Sequence, residues 1–173
     1  MAIAPAPLGD QRPAVIDVDA PGDLELSLDD ALTDVRNAGV ATLHHRQVGI
    51  LAIAPSGVHV IGDAVRCGRV ERRFDSLGRN SGFRLLIDGR DRSKLVRPVS
   101  AAAGLVRDRL RSQGISGVPV IPHLCVSGAT WNNRPTPFQV DDVTVIWPAE
   151  LSQQLLTSGG LGDRIDDVVD ALA

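Results

Sequence analysis

Positive charge is concentrated in one part of this chain. Arg66, Arg69, Arg72, Arg73, Arg79, Arg84, Arg90, Arg92, Lys94 and Arg97 face only Glu71, Asp75, Asp88 and Asp91 over the same stretch, a local charge of +6, whereas the whole protein carries −3. A guanidinium stays charged at any physiological pH, and its planar fork matches the oxygens of a phosphate. The chemistry this segment suits is contact with phosphates, with DNA or RNA as the first partner to consider. Arg66, Arg69, Arg72, Arg73, Arg90, Arg92 and Lys94 are the candidate nucleic-acid-binding residues. A solvated strand-and-loop surface is the competing reading of the same run.

A second group could bind metal in principle. His44, His45 and His59 fall on or near one sheet, His123 and Cys125 share a strand face by their i, i+2 spacing, and Cys67 is the other thiol. The spacing matches no strong ligand motif, so the expectation is separate core or rim histidines, reduced thiols and no metal. There is no Gly-x-Ser-x-Gly, P-loop or dinucleotide fingerprint. Asp166, Asp167 and Asp170 read as the wet face of a terminal helix. Trp131, in a polar loop, is expected to pack over a sheet edge rather than stand as an exposed contact.

The elements that must position these residues follow from periodicity. Residues 1–22, rich in Pro and Ala, read as a flexible tail, and residues 23–173 as one domain. Ser27 is a helix N-cap, Asp29 and Asp30 suit the first turn, and Leu28, Ala31, Leu32 and Val35 make the apolar face before Gly39. Residues 40–45 form a first strand. Residues 48–68 form a hairpin turning at Pro55-Ser56-Gly57, apolar enough for burial on both faces. Residues 69–73 suit an edge strand, 74–81 a loop, and 83–87 a strand closed by Asp88-Gly89.

Leu95, Val99, Ala102, Val106 and Leu110 then mark a long helix starting near Arg97 and ending at Gly114. Residues 118–126 and 143–147 read as strands, and Pro148 opens a short helix through Leu156. Residues 158–160 read as a hinge, and Asp163 as the cap of a last helix with Ile165, Val168, Val169 and Leu172 inside. The order, α-β-β-β-α-β, implies an α/β layer fold with a mixed central sheet flanked by helices.

Hydrophobic residues make up 43% of the chain and charged residues 23%, ordinary values for a globular domain. No apolar run approaches the roughly 20 residues that cross a bilayer, and the start lacks the basic-then-apolar pattern of a signal peptide. A cytoplasmic protein without a membrane partner is expected. Aromatic residues are only 3%, with no Tyr, which argues against base-stacking platforms.

Three local signatures in this order resemble the nuclease-related domain, the NERD family, a branch of the PD-(D/E)XK nucleases. The first is the hairpin with Pro55-Ser56-Gly57-Val58 followed by Gly68-Arg69-Val70-Glu71. The second is residues 89–96, Gly-Arg-Asp-Arg-Ser-Lys-Leu-Val, before the long helix. The third is Val145-Ile146-Trp147-Pro148 with Leu151, close to a phrase in bacterial members. The resemblance runs from about Glu25 to the C-terminus and implies a restriction-endonuclease-like core. It further implies a carboxylate late in the second strand region and Asp/Glu-x-Lys on the third. Such carboxylates hold Mg²⁺ against the scissile phosphate while the lysine orients the attacking water.

In this chain those positions are Gly49, Gly62 and Ala64, and the helix position often held by glutamine falls near Ala102. Glu25 is a weak candidate for the first-helix acid. Asp63 is another weak candidate, but alternation sets it on the opposite face from Gly62 and Ala64 unless a bulge turns it over. The resemblance therefore implies a pseudoenzyme with no cofactor, a scaffold used for binding nucleic acid or protein. The alternatives are a Mg²⁺-dependent nuclease with a displaced site built on Glu25 and Asp63, and a structural homodimerisation module.

Overall fold

The computed structural model describes residues 26–75, 82–131 and 135–173. Glu25, the 1–22 segment and most of the expected 74–81 loop lie outside them. The first helix, α1 (Leu28–Asn37), begins where its sequence dictates. The Ser27 hydroxyl accepts from the Asp30 N–H, and the Asp30 carboxylate accepts from the Ser27 N–H, a reciprocal capping box. Leu28, Ala31, Leu32 and Val35 are its buried face.

Next come β1 (Ala41–His45), β2 (Gly49–Ala54) and β3 (Gly57–Val65), three antiparallel neighbours. Residues 51–54 and 57–61 are buried, as expected of strands covered on both faces. Beyond β3 the chain leaves the central sheet. β4 (Val70–Asp75), β5 (Gly82–Ile87) and β6 (Arg90–Asp91) make a separate three-stranded antiparallel sheet. Residues 69–73 thus fall on an edge strand as expected, at the edge of this small sheet, and β4 runs on into the stretch read as loop. Arg72 and Arg73 stand exposed on β4, while Val70, Leu85 and Ile87 at the other end of the ribbon join the core. Asp88 and Gly89 both take positive φ, 49° and 70°, the two-residue turn whose twist suits a hairpin.

A short 3₁₀ turn at Ser93–Leu95 leads into α2 (Val96–Ser112). β7 (Val120–Ser127) returns parallel to β3, and β9 (Val143–Ile146) lies parallel to β7. β8 (Phe138–Val140), which periodicity missed, pairs antiparallel with β9 across Asp141-Asp142. The central sheet is therefore mixed, in the order β1-β2-β3-β7-β9-β8, with the small sheet inserted in the crossover from β3 to β7.

Two cores separate the layers. On one face, α1 and α3 (Pro148–Leu155) pack Leu28, Leu32, Val35, Leu151 and Leu155 against Ala52, Ile61, Cys125 and Ile146. On the other, α2 and α4 (Ile165–Leu172) pack Val99, Ala102, Val106, Val168 and Leu172 against Leu51, Val60, Ala64, Leu124 and Val126. Trp131 is buried as expected, with Trp147 at 5.0 Å between ring centroids. Two smaller readings are corrected. Asp163 does not cap α4, which lacks a side-chain cap bond. The 158–160 segment is docked: Leu161 N–H donates to Pro55 O at 2.8 Å, and Gly159 lies against the Pro55-Ser56 backbone.

Candidate nucleic-acid interface

Local hydrogen bonds hold the basic segment in place. The Arg92 N–H donates to Leu85 O, the Leu85 N–H donates to the Ser93 hydroxyl, and the Ser93 N–H donates to Asp91 Oδ1. These bonds fasten residues 91–93 to β5 and leave the long cationic side chains facing outward. The result is a cleft of about 810 Å³ between the start of β5, the N-terminal end of α2 and the β8–β9 turn. Arg84, Arg92, Lys94 and Arg97 line it, against Asp91 and Asp141.

Arg84 is already committed. It bridges Asp75 at 2.6 Å and Asp91 at 2.9 Å. The hydrogen bond to Asp91, then that to Asp75, raises its pKa. Ser93, through its side chain and N–H, holds the Asp91 carboxyl below the usual range, with Arg84 adding to the effect. Arg92, Lys94 and Arg97 make no ion pair among the described residues. Arg92 also lines a second recess of about 300 Å³ with Arg66 and Arg90, so the cationic surface continues across it.

The seven residues singled out from sequence do not form one surface. Arg66, Arg90, Arg92 and Lys94 line the two clefts, joined by Arg84 and Arg97. Arg69 lines neither. Its backbone N–H donates to Asp88 Oδ1 at 2.8 Å. Arg72 and Arg73 are neighbours on β4 and so point to opposite faces of the ribbon. The Arg72 guanidinium lies 5.4 Å over the ring of Phe83.

The region where the resemblance places nuclease chemistry is built differently. Gly62 faces α2, where a β-carbon would collide with Val99 Cγ2 and meet Leu124 Cδ1 at 3.6 Å. Ala64 and Ala102 are buried in the same apolar core. Gly49 is exposed, with φ +88°, which an L-residue adopts only under strain. None of these residues carries a ligand atom. β3 runs unbroken through Asp63, so no bulge turns it over. Its carboxylate sits on the opposite face and accepts from the Ser127 hydroxyl at 3.3 Å.

The histidines also sort by face. His44 and His45 are exposed, and Cys67 is exposed. Among the described residues no three His, Cys, Asp or Glu side chains come together as a metal cluster. His59 and His123 are both buried, but not separately. Ser56 Oγ lies 2.8 Å from His59 Nε2, and His59 Nδ1 lies 2.9 Å from His123 Nε2. If His59 Nδ1–H donates, His59 Nε2 accepts from Ser56; if His123 Nε2–H donates, His59 donates to Ser56. Either way His123 Nδ1 has no partner among the described residues.

Burial lowers His59 to about 4, and burial with the neighbouring His59 lowers His123 to about 3. The chain has the order nucleophile, base, orienting group, but a base so weak is poorly matched to neutral pH, and Ser56 lines neither cleft. It is a buried link between β3 and β7. The i, i+2 pattern exposed the shared face of each strand, but pairing His59 with His123 required the parallel register. Cys125 on that face is an inert thiol, its pKa pushed up by burial first and Asp63 second.

No known family model, curated protein or solved structure matches this chain.

Proposed function

We propose that this domain is a nuclease-related scaffold of the NERD type that has lost its catalytic chemistry and binds nucleic acid. One observation carries the reading: three cations, Arg92, Lys94 and Arg97, line one cleft and make no ion pair among the described residues, in a protein that is acidic as a whole. Support for the loss of chemistry is the filling of the Gly62 face by Val99 and Leu124, which leaves no room for a carboxylate and a metal. The α-β-β-β-α-β order and the mixed sheet are compatible with a restriction-endonuclease-like core.

The test is equilibrium binding of a labelled oligonucleotide across a salt series. Neutralising three phosphates of a single strand gives a slope of log K against log salt of roughly −2. Arg92→Ala with Lys94→Ala should weaken binding and flatten that slope. No binding at low salt, or binding indifferent to salt, overturns the proposal.

A further inference from the structure

The chain has only three phenylalanines, and two of them stand together in solvent on the inserted sheet. Phe74 is 60% exposed and Phe83 39% exposed. They are directly paired across β4 and β5, with ring centroids 5.5 Å apart and planes at 70°. An edge-to-face pair gains from its geometry, but burial of both rings would gain more. Arg72, on the same ribbon face by alternation, covers part of Phe83. Phe83 also lines the cleft that holds Arg92, Lys94 and Arg97. Aromatic faces therefore adjoin cations that have no ion pair among the described residues. The low aromatic content argues against base-stacking platforms, but a percentage does not say where the rings stand, and these two stand together at the surface.

Resting on the nucleic-acid reading above, we propose that the ligand is single-stranded, with phosphates in the cationic cleft and unpaired bases stacked on Phe74 and Phe83. A duplex keeps its bases stacked inside and offers these rings nothing, and the three cations of this cleft are few for a duplex backbone. An unpaired base has an open π-face, and each base stacked on an aromatic side chain strengthens binding several-fold or more. The arrangement is sequence-tolerant, because any base can stack. Arg72 adds a guanidinium plane beside the rings, a second stacking surface.

The experiment uses the full chain and fluorescence anisotropy with three probes of equal length: an oligothymidine, the same strand with abasic sites throughout, and a duplex. The oligothymidine is expected to bind on the order of tenfold tighter than the abasic strand. The Phe74→Leu/Phe83→Leu variant should erase that difference, bringing oligothymidine down to the affinity of the abasic strand. Arg92→Ala with Lys94→Ala should weaken all probes together. Equal affinity for the thymidine and abasic strands, tighter binding of the duplex, or indifference to the Phe74→Leu/Phe83→Leu change overturns the single-strand inference while leaving the cationic cleft in place. Failure of every probe at low salt overturns both. A separate Phe74→Trp variant reports directly: its emission should be quenched on adding oligothymidine and not on adding the abasic strand, and an unchanged spectrum counts against stacking.

Discussion

His59 and His123 form a hydrogen-bonded pair at 2.9 Å between Nδ1 and Nε2, buried on adjacent parallel strands, with their rings within 10° of parallel. The pair satisfies polar atoms in the core only while both rings are neutral. Among the described residues, a proton on His59 would leave a charge with no carboxylate hydrogen-bonded to either ring, only Ser56 at one end and an unpartnered Nδ1 at the other.

Stability should therefore fall in acid over a defined window. Both folded pKa values, about 4 and about 3, lie below the ordinary value of 6.5. The unfolded chain binds protons first, so the contribution is complete above about pH 6.5 and is lost as pH falls toward the folded values. At pH 5 the two rings together cost on the order of 4 kcal/mol, at about 1.4 kcal/mol per pH unit for each. Urea midpoints measured from pH 7.5 to 4 check this. The His59→Phe/His123→Leu variant should show a much shallower decline over that interval, and an unchanged decline would remove the pair as its cause.

Restoring the nuclease-type carboxylate should destabilise the protein rather than activate it. Gly62→Asp places a side chain into Val99 Cγ2 and a charge against Leu124, a loss of about 2–4 kcal/mol. Thermal melting gives the measure. Gly62→Asp with Val99→Ala should recover part of the loss by making room. A Gly62→Asp protein as stable as the parent would show that this face tolerates a polar site, and would reopen metal-assisted hydrolysis there.

Gly159 offers a check on the far side of the hairpin. A β-carbon at this position meets Pro55 O and the Ser56 Cα, backbone atoms that cannot swing aside. Gly159→Ala should cost about 1–3 kcal/mol and disturb the Ser56–His59 bond, read as a lower urea midpoint and faster exchange of the Leu161 N–H that donates to Pro55 O. Gly160, with nothing within 4 Å of a built β-carbon, is the control, and Gly160→Ala should leave both readouts unchanged. Equal behaviour of the two variants would contradict the docked segment.

Much of the fold was legible because local rules dominate it. Ser27 and Asp30 cap a helix by their own spacing, the faces of α1 and α2 follow the 3.6 period, and the continuous apolar runs in β2 and β3 signal burial on both sides. β8 escaped because three residues, Phe138–Val140, are too short to show a period. Residues 69–73 are legible as an edge strand, but the sheet they edge is not, because alternation identifies a strand without naming its partner, and pairing with β5 rather than the central sheet is a long-range choice.

The candidate site divides the same way. The sequence by itself determined that residues 66–97 are basic, that Gly49, Gly62 and Ala64 carry no ligand atoms, and that Asp63 lies opposite Gly62 on its strand. These follow from residue type and from a period of two, which needs no partner. Only the tertiary structure decided that Val99 fills the Gly62 face, that Arg84 is neutralised by Asp75 and Asp91 while Arg92, Lys94 and Arg97 make no ion pair among the described residues, and that Phe74 and Phe83 meet in solvent beside them. Each of these depends on which strands pair and which helix covers them. That is set by packing between segments distant in the chain, so a net charge or an aromatic percentage carries no trace of it.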